Sequence, residues 1–425
     1  MRHLVALLLL KSLLLISCQK NNEPEVQLTT PSLSTSPIES VSNNVAASGG
    51  NITMDGGSPV TGRGICWSIT PNPTIANNHT NDGTGTGLFT STMAGLDAGK
   101  KYYVRAYATN AEGTAYGNEL SFTTSSQTIY ILGTTSMQPK VWKNGVSSTL
   151  PGRHANSLFV AGSDVYVVGT EATGVDYLPR VWKNGTTTSF FPDIPEITPF
   201  DVFVSNNDIY AVGQERVGEI QKARIWKNGM SIPLTIGDYS SIANTVYVSG
   251  TDIYVGGGNC LSEGLANCPP CIWKNGTPEI LGTGTGQAVS VFLANGDVYI
   301  AGGEHNGTTT VAKVWKNGVG TFLGNATSYA KSIFVSGNDI YVAGNEMIEG
   351  KQIAKFWKNG TATILTPANA SGSAEAVWVV GTDVYVVGYQ SENSGDSKAI
   401  VWKNGVPSFL PNGDSGGASA IFITN

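Results

Sequence analysis

The chain has 425 residues, with 25 Lys and Arg against 31 Asp and Glu, a net charge of −6. That balance argues against nucleic acid as a partner, which requires a basic footprint. Charged residues are only 13% and Gly numbers 52, which fits an all-β protein with many turns and few long helices.

The chain opens MRHLVALLLLKSLLLISC, basic at Arg2 and mostly apolar to Ile16, with Lys11 as an interruption. Such a run is too short to span a bilayer and reads as a signal peptide over residues 1–17. Leu15-Ile16-Ser17-Cys18 resembles the lipobox of bacterial lipoproteins. The resemblance implies cleavage before Cys18, lipid on its sulfur and a polar tether over residues 18–25. Gln19 stands where an Asp would favour inner-membrane retention, so the expected address is the outer membrane, with lipid as the membrane contact.

Residues 26–124 resemble a fibronectin type III module, a β-sandwich. Leu96-Asp97-Ala98-Gly99-Lys100-Lys101-Tyr102 carries the resemblance as a tyrosine corner. After it, Tyr102, Val104, Ala106 and Ala108 alternate as one buried face, and Gly64 to Ser68 is expected to form a central strand. The glycine-rich run Asp82 to Gly87 lacks a Lys and a following helix, so it reads as a surface loop.

Residues 127–425 contain Trp-Lys-Asn-Gly seven times, with tryptophans at 142, 182, 226, 273, 315, 357 and 402. A period in the low forties filled with short strands is the sequence pattern of a β-propeller blade. Each copy reads as four strands. An aromatic strand such as Ser332 to Val335 is joined by a two-residue turn to one such as Asp339 to Gly344. A strand bearing the Trp follows, and then Asn-Gly, the strongest short hairpin signal. The array starts with a second strand, Ile129 to Gly133, and ends with a first strand, Ala420 to Ile423. The C-terminal strand is therefore expected to close the N-terminal blade of a seven-bladed ring, removing an exposed edge. The architecture resembles Kelch-like and lectin-like propellers, and no functional residue transfers from them.

Within this array the repeated Trp reads as blade-to-blade core and the repeated Lys as solvated. The recurrent Asp164, Asp208, Asp252, Asp297, Asp339 and Asp383 read as caps on local backbone amides. The loops after the second and fourth strands share one rim, vary in length and content, and form the expected functional face. Its candidate ligand residues are Glu171, Glu215, Glu263, Glu304, His305, Glu346 and Glu392. Four of these acids, Glu171, Glu215, Glu304 and Glu346, lie across a hairpin from Arg180, Arg224, Lys313 and Lys355, where a cross-strand ion pair is the simplest expectation. The copy at Trp273 has Cys260, Cys268 and Cys271 instead, and a Cys260–Cys271 disulfide is expected, with Cys260–Cys268 as the alternative. Cys66 reads as a buried thiol.

No catalytic constellation, metal-ligand cluster or cofactor motif is recognisable, so none is expected. Three functions stay open. The first is a monomeric, lipid-anchored binding protein presenting the propeller to a glycan or protein. The second is a glycan-acting hydrolase or lyase using acids of the variable rim. The third is a passive structural component of the cell surface.

Overall fold

The computed structural model describes residues 27–41, 45–234, 239–261, 268–392 and 395–424. Every regular element among them is a β-strand. No helix among them is long and apolar enough to cross a membrane. The chain divides into two compact units, Met1–Ser126 and Gln127–Asn425.

In the first unit, Ser32–Thr35, Val45–Met54 and Gly87–Ala94 form one antiparallel sheet. A second sheet is built on Gly62–Ser68 and Lys101–Asn110, flanked by Asn78–His79, Gly113–Tyr116 and Leu120–Thr123. The alternating residues Tyr102, Val104, Ala106 and Ala108 enter one core with Ile52, Ile65, Trp67, Phe89 and Met93. The Tyr102 hydroxyl accepts a hydrogen bond from the Asp97 amide at 3.0 Å, which ties the corner to the strand that follows it. Cys66 is buried and free.

The second unit consists of seven four-stranded antiparallel sheets, an arrangement compatible with a β-propeller. Six of them take their strands in chain order, for example Ser328–Ser336, Asp339–Ile348, Lys351–Lys358 and Thr361–Ile364. The remaining sheet joins Thr128–Thr135, Gln138–Lys143 and Val146–Thr149 to the last strand, Gly416–Thr424, which pairs with Thr128–Thr135. In all seven Trp-Lys-Asn-Gly turns both residues have positive φ, about 50° for Asn and 82° for Gly. That is the geometry a two-residue hairpin demands, and it explains why the dipeptide recurs.

Seven apolar clusters join each sheet to the next. Tyr166, Val168 and Val181 meet Ile197, Val202, Val204 and Trp226 of the following sheet, and the same pattern repeats along the chain. The circuit closes where Tyr385, Val387 and Ala399 meet Ile131, Trp142, Ala418, Ile421 and Ile423, and where Tyr130 and Leu132 meet Leu158 and Trp182. All seven repeat tryptophans are among the largest fully buried side chains. Their regularity follows from this position in the inter-sheet core.

A break in strand register recurs in the first strand of every sheet. One residue is skipped in the pairing with the second strand: Asn156, Phe200, Asn244, Val289, Lys331, Glu375 and Ser419. Opposite each break stands the Gly of a Tyr-x-x-Gly run: Gly169, Gly213, Gly257, Gly302, Gly344, Gly388 and Gly133. A Cβ on Gly169 would lie 2.0 Å from the His154 carbonyl oxygen, and one on Gly388 would lie 1.9 Å from that of Ser373. Only glycine admits the backbone this close, so the bulge and the glycine require each other.

Candidate functional site: a central cavity

The conspicuous repeat is structural throughout. In the sheet containing Trp226, the Asn228 side chain accepts from the Ile209 amide at 2.8 Å and donates to Asp208 at 2.7 Å. Lys227 pairs with the other Asp208 oxygen at 2.7 Å and lies 5.3 Å from the Tyr210 ring centroid. The hydrogen bonds from Lys227 and Asn228 hold the Asp208 carboxyl below its usual range. Five other sheets repeat the Lys–Asp pair, at Lys183–Asp164, Lys274–Asp252, Lys316–Asp297, Lys358–Asp339 and Lys403–Asp383. These lysines are therefore ion-paired and stacked on Tyr rather than simply solvated, and the aspartates bond Lys and Asn side chains rather than amides. Once Asn accepts the local amide, Asp is left to bridge. The closing sheet has Thr128 in the Asp position, and there Lys143 keeps only its contact over Tyr130, at 5.4 Å.

Four acids of the variable loops are neutralised within their own hairpins. Glu171 meets Arg180 at 2.8 Å and Glu215 meets Arg224 at 2.6 Å. Glu346 meets Lys355 at 2.7 Å, and Glu304 pairs with Lys313. Glu304 also accepts from the amides of Thr283 and Gly284, each at 2.8 Å, and is buried. His305 is exposed and its Nδ1 accepts from the Gly307 amide at 3.2 Å. Glu392 is exposed at the end of its strand. Glu263 and Cys18 lie outside the described residues.

The disulfide joins Cys260 to Cys268, not to Cys271. The register explains the correction. Cys271 pairs with Gly257 within the sheet, and its side chain enters the core with Val246, Val255 and Trp273. Burial pushes its thiol up to about 12. Cys260 lies just past the end of its strand, next to the loop that returns to Cys268.

A cavity of about 770 Å³ is lined by the first strands of all seven sheets. Every bulge residue lines it, so Asn156, Phe200, Asn244, Val289, Lys331, Glu375 and Ser419 face one space. Three residues further along each strand is an aromatic: Phe159, Phe203, Tyr247, Phe292, Phe334, Trp378 and Phe422. Neighbouring rings are 4.5 to 5.7 Å apart, and the circle closes between Phe422 and Phe159. Between bulges and aromatics runs a belt of small polar groups that tie sheets together. Ser290 accepts from the Ile333 amide and Ser332 from the Val377 amide, each at 3.2 Å.

Asp201 occupies the belt in the third sheet counted from the N-terminal end. Its carboxylate accepts from the Ser157 hydroxyl at 2.5 Å and from the amides of Val202 and Val246, each at 2.9 Å. Burial pushes this carboxyl above its ordinary range, against the pull of those hydrogen bonds. Its hydrogen bonds join three sheets, so it is a structural group. Lys331 and Glu375, on neighbouring sheets, differ: neither has an ion-pair partner among the described residues. No cluster of three or more His, Cys, Asp or Glu able to hold a metal occurs among them.

The cavity was not foreseen as a site in the sequence, because the bulge residues share no residue type. The seven Tyr-x-x-Gly runs were its one visible signal.

No family model matches the chain, and no curated protein matches it. Many solved structures are similar to it, among them two peptidases. The acylaminoacyl peptidase of Pyrococcus horikoshii is 10% identical over 73% of this chain, with a TM-score of 0.42. The tricorn protease is 9% identical over 92% of this chain, with a TM-score of 0.43. The chain spans 50% of the first and 44% of the second. Both names denote peptidases, unlike the binding protein without catalysis expected from the sequence, but a likeness at this distance bears on the fold alone. At this distance neither substrate nor residue role passes from them to this chain.

Proposed function

We propose that residues 127–425 form a seven-bladed β-propeller, closed by the C-terminal strand, that serves as the head of a glycan-acting hydrolase. One observation carries the reading. The central cavity holds a carboxylate, Glu375, with no ion-pair partner among the described residues, above a closed circle of seven aromatic rings. Aromatic faces stack on the apolar faces of sugar rings. A carboxylate left unneutralised on the cavity wall is a group able to take a proton from an attacking water. The acids of the variable rim are less suited to that work, because four of them are tied to a base in their own hairpin.

The remainder of the chain fits a delivery role. Residues 26–124 act as a fibronectin type III-like spacer, and Cys18 carries lipid that holds the protein at the outer membrane.

The test is incubation of the purified protein with a panel of oligosaccharides, following release of new reducing ends. The expected result is turnover of at least one substrate, lost in Glu375→Gln without change in melting temperature. Turnover that survives this substitution, or a panel left intact, refutes the assignment. Metabolic labelling with palmitate, lost in Cys18→Ala, tests the anchor.

A further inference from the structure

We propose that the central cavity selects oligosaccharides bearing a carboxylate, which Lys331 binds. The inference rests on the cavity being the substrate site.

The seven bulge positions are equivalent in backbone but not in chemistry. Five are neutral, one is basic and one is acidic. Lys331 is the only base among all the residues lining the cavity. The charges on that wall otherwise come from Asp201, whose oxygens are occupied by Ser157, Val202 and Val246, and from Glu375. An ammonium group held in a recess without a counter-ion is a site for an anion, because a bound carboxylate replaces hydration with a charge-assisted hydrogen bond.

A phosphate or sulfate would satisfy the same ammonium, but the site offers a single cation. No second base lines the cavity to supply the several cationic donors a dianion uses. A carboxylate is the better match in charge. The chain as a whole is acidic, at −6, so long-range attraction does not draw anions to it. Selection for an acidic sugar has to be local, and Lys331 is the local charge. Because Lys331 and Glu375 occupy the same register position on adjacent strands, a sugar whose carboxylate sits on Lys331 presents its neighbouring residue to Glu375. The aromatic circle three residues deeper supplies a stacking floor.

The experiment is calorimetric titration of the purified protein with tetragalacturonate and with the neutral galactotetraose of equal length. The acidic tetramer is expected to bind at least tenfold more tightly at low salt. Lys331→Met is expected to remove that difference while leaving near-ultraviolet circular dichroism unchanged, and Lys331→Arg to keep most of it. Equal affinities in the wild type, or an acidic preference that survives Lys331→Met, would overturn the proposal, as would binding of neither tetramer. The two readings fail separately. Turnover of neutral oligosaccharides with no acidic preference sinks the role of Lys331 and leaves the hydrolase standing. Tight, Lys331-dependent binding of the acidic tetramer with no product sinks the hydrolase and leaves the charge selection.

Discussion

Asp201 is the sharpest place to test the belt of inter-sheet hydrogen bonds. Replacing it with Ala removes the acceptor for the amides of Val202 and Val246 and for the Ser157 hydroxyl. A buried donor left unsatisfied costs about 1–3 kcal/mol. The Ser157 hydroxyl borders the cavity and regains water, so two amides dominate, and relief from burying a charge offsets part of their loss. The expected net cost is about 2–4 kcal/mol by these same magnitudes. Asp201→Asn keeps an acceptor for one amide and should cost about 1 kcal/mol where the wild-type carboxyl is protonated.

The pH dependence gives a second, independent reading. The folded carboxyl titrates above the ordinary value of 3.8. Its protonation therefore favours the folded state fully below 3.8, and that stability is lost as pH rises through the folded value. Relative to wild type, Asp201→Asn should gain stability as pH rises above 4. Guanidinium unfolding of the three proteins at one-unit pH steps measures this. A stability of the Asn variant relative to wild type that is flat in pH, or that increases as pH falls, would falsify the assignment of a desolvated carboxylate. An Ala variant as stable as wild type would show that the belt holds nothing.

Removing Gly416 to Asn425 strips Ala418, Ile421 and Ile423 from the inter-sheet core and should cost about 5–7 kcal/mol, at about 2–3 kcal/mol for each Ile and about 1 kcal/mol for the Ala; a truncated protein with unchanged melting and protease resistance would refute the ring closure. Thr128→Asp supplies the closing sheet with the carboxylate that six other sheets place beneath Lys and Asn, so differential scanning fluorimetry should show a higher melting temperature, and a fall would mean the Thr128 site differs from its equivalents. Burial raises Cys66 to about 11 and Cys271 to about 12, so iodoacetamide at pH 8 should leave both unmodified in the native protein and alkylate both in guanidinium, as read by intact mass. Gly344→Ala forces a Cβ to 2.0 Å from the Tyr329 carbonyl oxygen and should prevent accumulation of soluble protein, whereas Gly337→Ala, in an open turn, should cost far less despite its positive φ.

Much of the second unit was legible because its signals are local. Asn-Gly after Trp-Lys announces a hairpin in all seven copies, and the unpaired second strand at Ile129 and first strand at Ala420 named each other as partners. The cysteine pairing was harder, since it depends on which face of a strand Cys271 presents. That face is set by pairing with Gly257, not by spacing along the chain. The cavity was hidden for a related reason. A bulge is a property of two strands in register, and the residue it turns inward can be Asn, Phe, Val, Lys, Glu or Ser. The glycine opposite it is constant across the seven sheets, but taken one strand at a time it reads as a strand end. The fourfold Glu–base motif was visible as a pattern, and the structure shows why those acids are poorly placed to serve a ligand.

The pairing of Gly416–Thr424 with Thr128–Thr135 also sets an order of events. The Ser419 hydroxyl reaches the Leu132 carbonyl across 287 residues of sequence. Until the last strand emerges from the ribosome, the first sheet has a bare edge, and no stretch of the second unit that has already been made can cover it with its own partner. Closure of the circle therefore waits on this strand, slow by the measure of contact order and exposed to edge-to-edge association until it pairs. A chain that stops short by ten residues is not a slightly shorter protein but an open one.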